Sequence, residues 1–127
     1  QLSRWGVFGV AMLVGLDVAS HFVRMYASLS LQHESHKEMS PSTPWLLRLY
    51  YTNRKVMGAF CVGQEFCYLA LYALHFYPEL QWLAQLNTFV LVPLCALKQV
   101  CNLLQMLDGF REIAEFDEEK RAAVKKN

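Results

Sequence analysis

The 127-residue chain lacks a net charge of any size: 12 Lys and Arg stand against 11 Asp and Glu. It also lacks a basic patch interleaved with aromatic residues, so the electrostatic footprint of a nucleic-acid-binding protein is missing and no nucleic-acid partner is expected. There is no Cys-x-x-Cys. Cys61, Cys67, Cys95 and Cys101 lie inside apolar stretches, at spacings that do not suit zinc, and read as small buried hydrophobes. A basic segment followed by a short apolar run and a small-residue cleavage site is missing too, so no secretory leader is expected. No internal repeat or low-complexity tract occurs. The first residue is Gln1 rather than Met, as expected of a processed chain or a piece of a longer one.

Long apolar runs dominate instead. Residues 5–31, about 56–77 and about 86–108 each supply the ~20 residues needed to cross a ~30 Å hydrocarbon core. They predict an all-α, polytopic membrane helix bundle with three transmembrane helices and a tail at 109–127. The 32–55 connection carries Lys37, Arg48, Arg54 and Lys55, and the tail carries Arg111, Lys120, Arg121, Lys125 and Lys126. Pro78–Gln85 has neither Lys nor Arg. The positive-inside rule therefore puts the long connection and the tail in the cytoplasm and the short one in the lumen. Trp45, Tyr50 and Tyr51 on one side, with Tyr77 and Trp82 on the other, suit aromatic belts. The start of the chain then falls on the luminal side, which an earlier odd number of spans would explain. Thr43-Pro44-Trp45 reads as a helix start, with Thr43 as N-cap and Pro44 in the first helical position, opening a short interfacial helix. Pro93 should kink the third span. The tail reads as a solvated helix, and Lys125-Lys126 sits one residue out of register for a dilysine retrieval signal.

The spans are not uniformly apolar. Asp17, Ser20, His21 and Arg24 fall at i, i+3, i+4 and i+7 in the first and share one helical face. A charge within a span costs at least ~2–3 kcal/mol unless it faces protein or water. The stripe therefore predicts a polar cavity, as in a transporter, a receptor or a membrane enzyme with a polar substrate. The second span places Gly58, Cys61, Glu65, Tyr68 and Tyr72 on one face, where Gly58 and Cys61 would allow close helix approach and Glu65 would need a partner. Lys98, Asn102 and Gln105 form a stripe in the third. Gln64, Asn102 and Gln105 read as interhelical hydrogen-bonding groups. His33 and His36 have no further ligands at suitable spacing for a metal. Lys37 and Arg54 flank spans at the cytoplasmic interface, as snorkelling anchors or as phosphate contacts.

Four runs carry a resemblance: LDVASHF at 16–22, ESHK at 34–37, LRLYYTNR at 47–54 and GQEFCYLALYALHF at 63–76. In this order and at these distances, over most of residues 12–108, the chain resembles the C-terminal half of the eukaryotic phosphatidylinositol synthases, within the CDP-alcohol phosphotransferase family. The resemblance implies spans four to six of a six-span fold in the endoplasmic reticulum membrane. It further implies CDP-diacylglycerol and myo-inositol as partners, membrane lipid around the protein, a homodimer, and Mg²⁺ or Mn²⁺ as cofactor. The family's metal-binding motif, D-x-x-D-G-x-x-A-R-x8-G-x3-D-x3-D, is absent. Asp108-Gly109 only begins a look-alike, so the metal ligands are expected upstream of Gln1 and no catalytic residue is assigned. By the same resemblance, Asp17, Ser20 and His21 would hydrogen-bond inositol hydroxyls, with Arg24 on the same stripe. Lys37 and Arg54 would complement phosphate charge, and Lys98 would contact phosphate or pair with an acidic group from a span missing from this chain. The competing expectations are a non-catalytic truncated membrane subunit and a small transporter-like protein.

Overall fold

The computed structural model describes residues 4–30 and 43–125. These form α1 (Arg4–Ser30), α2 (Trp45–Thr52), α3 (Arg54–Phe76), α4 (Gln81–Leu86), a π-helical turn (Asn87–Leu91) and α5 (Val92–Lys125). Three helical runs are long and apolar enough to cross a membrane: Arg4–Ser30, Arg54–Phe76 and the 45-residue run Gln81–Lys125. The third passes through the point where a separate tail was expected.

Local chemistry explains the boundaries. Pro44 has an extended backbone (ψ 142°) and is itself the N-cap, its carbonyl accepting the Arg48 N–H at 3.0 Å. The expected Thr43 cap is thus displaced by one residue, and the buried Thr43 hydroxyl lies against the Asp108 carboxylate instead. Asn53 separates α2 from α3. Its Oδ1 accepts the N–H groups of Lys55 (3.0 Å) and Val56 (3.3 Å), meeting two of the donors a helix start leaves open. Pro78 follows the end of α3, as expected where the residue before a proline is driven out of the helical region. Pro93 cannot donate to the carbonyl four residues back, and its ring crowds that carbonyl. The turn just before it widens, with the Val92 N–H reaching back five residues to Asn87. The expected disturbance at Pro93 is thus a π-helical turn within a continuous helical run.

α1 and α3 both lie against α5. Only Ser20, Arg24 and Ala27 of α1 are buried, one stripe at spacings of four and three. α3 buries Phe60, Gly63, Gln64, Cys67 and Ala70. Close approach comes at Gly63, where an added Cβ would stand 2.6 Å from Leu94 Cβ, and not at Gly58, which meets nothing within 4 Å. Glu65 also departs from expectation: it is exposed, and its neighbour Gln64 faces inward. Successive helical residues are 100° apart, so Gln64 and Glu65 look out from different sides of α3. Gly109 holds α5 against α1, since a Cβ there would sit 2.9 Å from Val23 Cγ1. A compact aromatic cluster of Leu47, Tyr50, Tyr51, Phe60 and Cys101 ties α2 to α3 and α5. Most other large apolar side chains point outward, as they do where the surroundings are lipid.

Candidate functional site

The polar stripes of α1 and α5 face each other, and Gln64 of α3 joins them. Lys98 Nζ donates to Asp17 Oδ1 at 2.9 Å, and Asn102 Nδ2 donates to the same oxygen at 2.8 Å. Gln64 Nε2 reaches Asp17 Oδ2 at 3.2 Å. Lys98 also donates to Asn102 Oδ1 and lies 5.6 Å from the centroid of the Tyr50 ring. Gln99 extends the network, donating to Gln64 Oε1 and to the Tyr68 hydroxyl, each at 3.0 Å. Opposite charges and saturated donors make this burial tolerable. The Lys98 side chain is 3% exposed, whereas Asp17 keeps 27% of its surface open. Lys98 thus finds its acidic partner within this chain, on α1.

The open side of Asp17 leads to His21. Its Nδ1 lies 2.8 Å from the Asp17 carbonyl oxygen and 3.6 Å from Asp17 Oδ1, with 53% of the side chain exposed. Ser20 lies differently from the ligand-facing role expected of it. It is fully buried, and its hydroxyl donates to the Asp17 backbone carbonyl at 2.8 Å.

One turn further on, Arg24 forms a second centre. Its Nη1 donates to Glu112 Oε2 at 2.8 Å and lies 3.7 Å from Asp108 Oδ2, while the guanidinium carbon sits 5.8 Å from the centroid of the Tyr51 ring. Glu112 belongs to the segment read as a solvated tail, yet it is drawn in to meet this cation. Burial pushes the phenols of Tyr50 and Tyr51 well above the usual tyrosine range, so both are neutral beside the two cations.

His21, Arg24, Met25, Ser28, Leu29 and Gln105 line a cleft of about 430 Å³. Gln64, Gln99 and Asn102 are knit into the network, but the buried side-chain oxygen of Gln105 has no hydrogen-bond partner, and among the described residues the interhelical bond expected of Gln105 is not made. Arg54 opens α3 in an exposed position, apart from both centres. Lys37, His33 and His36 lie outside the described residues.

The donor set does not fit a divalent metal. Among the described residues no group of three or more His, Cys, Asp or Glu is placed to hold one. Asp17, Asp108 and Glu112 already face Lys98 or Arg24, cations an added metal would have to displace. No metal-dependent step is assigned to these residues.

Sequence reasoning missed Gln99, Asp108 and Glu112 as members of the site. A usable signal was present: Lys98, Asn102, Gln105, Gly109 and Glu112 follow one another at spacings of four and three, a single stripe running past the apparent end of the span.

The chain is similar to proteins named CDP-diacylglycerol–inositol 3-phosphatidyltransferase. It is 34% identical to that of Schizosaccharomyces pombe over 91% of this chain and 57% of the relative. The Saccharomyces cerevisiae protein is 36% identical over 92% and 52%, and the Homo sapiens protein 32% identical over 88% and 54%. The chain spans about half the length of the curated relatives it matches. No protein-family model matches it, and no solved structure does. Over about nine-tenths of its length this all-helical chain, with three helices long and apolar enough to cross a membrane, is therefore similar to about half of each of these CDP-diacylglycerol–inositol 3-phosphatidyltransferases.

Proposed function

We propose that this chain forms the acceptor-binding half of a membrane enzyme that transfers a phosphatidyl group from CDP-diacylglycerol to myo-inositol and releases CMP. The observation that carries the proposal is the similarity of about nine-tenths of the chain to relatives named for that transfer. In the reaction an inositol hydroxyl attacks the lipid-side phosphorus of the pyrophosphate and gives up its proton to a base, a phosphoanhydride P–O bond breaks, and CMP carries away the displaced oxygen. The residues here serve the acceptor. His21 at the cleft rim and the open side of Asp17 suit hydroxyl groups, which both donate and accept hydrogen bonds. Lys98 and Asn102 fix the orientation of the Asp17 carboxylate, and Arg24, paired with Glu112 and Asp108, holds the cleft wall of α1 against α5. Lys37 and Arg54 are proposed to complement phosphate charge at the membrane surface. Mg²⁺ or Mn²⁺ belongs, in this reading, to residues outside the chain. The endoplasmic reticulum and a homodimer complete the proposal, on resemblance alone.

The test uses membranes containing the complete polypeptide that carries this chain. CMP release should require both CDP-diacylglycerol and myo-inositol, and its absence would overturn the activity in favour of a non-catalytic subunit. His21→Ala and Asp17→Asn should raise the KM for inositol by about tenfold or more, the equivalent of losing one or two hydrogen bonds at ~1 kcal/mol each. Unchanged inositol kinetics in both variants would remove the cleft from the acceptor site.

A further inference from the structure

Glu65 is the twelfth of the 23 residues of α3, roughly 16 Å along it at ~1.5 Å per residue. That puts a carboxylate near the middle of a span, on its exposed side. Among the described residues it forms no ion pair or hydrogen bond. Hydrocarbon is a poor environment for such a group, and ionisable residues within spans nearly always face protein or a water-filled cavity. Glu65 lies three residues before Tyr68 and seven before Tyr72, on the same side of α3. Those two tyrosines and Leu71 form one wall of a groove of about 350 Å³, and Val7, Val10 and Ala11 of α1 form the other. The apolar stretch of α1 is only 6% buried, so this flank of the bundle is open.

We propose that the groove between α1 and α3 seats a further transmembrane helix of the same polypeptide, lying outside residues 1–127, which presents a Lys, Arg or other N–H donor to Glu65. Two observations select this occupant. The relatives are nearly twice as long as the chain that matches them. The charge of Glu65 also calls for a donor, which lipid tails cannot supply. A second copy packed face to face about a two-fold axis would bring Glu65 towards the partner subunit's Glu65, a like-charge approach that disfavours it. A helix in the groove would bury the exposed flanks of Val7 and Tyr72 and use the small side chain of Ala11 for close approach.

The experiment places the photo-crosslinking amino acid p-benzoylphenylalanine at Tyr72 of the complete polypeptide in its native membrane, with adducts mapped by mass spectrometry. The expected product is an intramolecular adduct to a peptide outside residues 1–127. Adducts to lipid alone, a covalent dimer, or adducts confined to residues 1–127 would each overturn the proposal. Glu65→Leu should lower the yield of the intramolecular adduct severalfold, while Glu65→Asp keeps most of it. A yield unaffected by Glu65→Leu would remove Glu65 from the contact. The readout needs no catalysis, so it stands or falls separately from the transferase activity.

Discussion

The two ionic centres of this bundle lie about two helical turns apart on α1 and are built in opposite ways. At Asp17 a single carboxylate receives three donors, from Lys98, Asn102 and Gln64, and retains an open side. At Arg24 a single cation is held between two carboxylates, and the three side chains are 4%, 5% and 10% exposed. The first gives its anion three donors where a carboxylate can accept about four, so its open side can take one more from a ligand. The second has more negative charge than its cation neutralises, is shut off from solvent, and clamps the end of α1 to α5. A charge network suited to recognition keeps an open side and free acceptor capacity, whereas one suited to joining helices is closed.

Removing the cation from the closed centre tests this contrast most severely. Arg24→Met would leave Asp108 and Glu112 facing each other with nothing between them. It should destabilise the detergent-solubilised complete protein by about 3–5 kcal/mol, the range for breaking a buried ion pair. Lys98→Met should cost less, about 1.5–3 kcal/mol for a lost hydrogen bond to a charged group, because Asp17 keeps Asn102, Gln64 and contact with solvent. Thermal melts of the two variants, side by side, check the order. A larger loss from Lys98→Met would reverse the assignment of clamp and recognition centre. Adding Asp17→Asn to Lys98→Met should recover part of the loss, which a double-mutant cycle reads directly.

Two uncharged positions sharpen the comparison by showing what packing and capping contribute without ion pairs. Gly63→Ala forces Leu94 to move, because its Cβ lies 2.6 Å from where the new methyl would stand. Overpacking of this kind costs about 1–3 kcal/mol and should appear as a lower melting midpoint. Asn53→Ala removes the cap of α3 and should cost ~1 kcal/mol, recovered in good part by Asn53→Ser. If Gly63→Ala proved as damaging as Arg24→Met, contact between α3 and α5 would rival the ionic clamp in holding the bundle together.

The three spans were legible because their length and apolar content leave few alternatives, and the polar stripes because 3.6-residue periodicity is visible in one dimension. The pairing between stripes was not legible. Nothing in the composition of α5 says that Lys98 meets Asp17 rather than a phosphate, since both supply negative oxygen. Glu65 drew attention because it carries charge, yet Gln64, 100° around the helix, is the residue that faces inward. Gly58 and Gly63 are equivalent as letters, and only the position of Leu94 makes one of them a contact point. The tail of α5 was misjudged at Glu112 because its charges look solvated until Arg24 is placed beside them. Asp17, His21 and Arg24 were found from one helix alone. Gln64, Gln99 and Glu112 became members of the site only once three helices were assembled.

The sequence distance between Asp17 and its cation also bears on how the protein is made. Lys98 is synthesised 81 residues after Asp17, so at roughly 5–20 residues per second the carboxylate waits about 4–16 s for its partner. Asn102 follows four residues later still. During that interval α1 cannot rest in hydrocarbon with a bare charge at low energy. It must stay in the aqueous or protein-lined space of the insertion machinery, or carry a proton, until α5 arrives. The Asp17–Lys98 pair therefore ties the settling of α1 in the membrane to the arrival of α5.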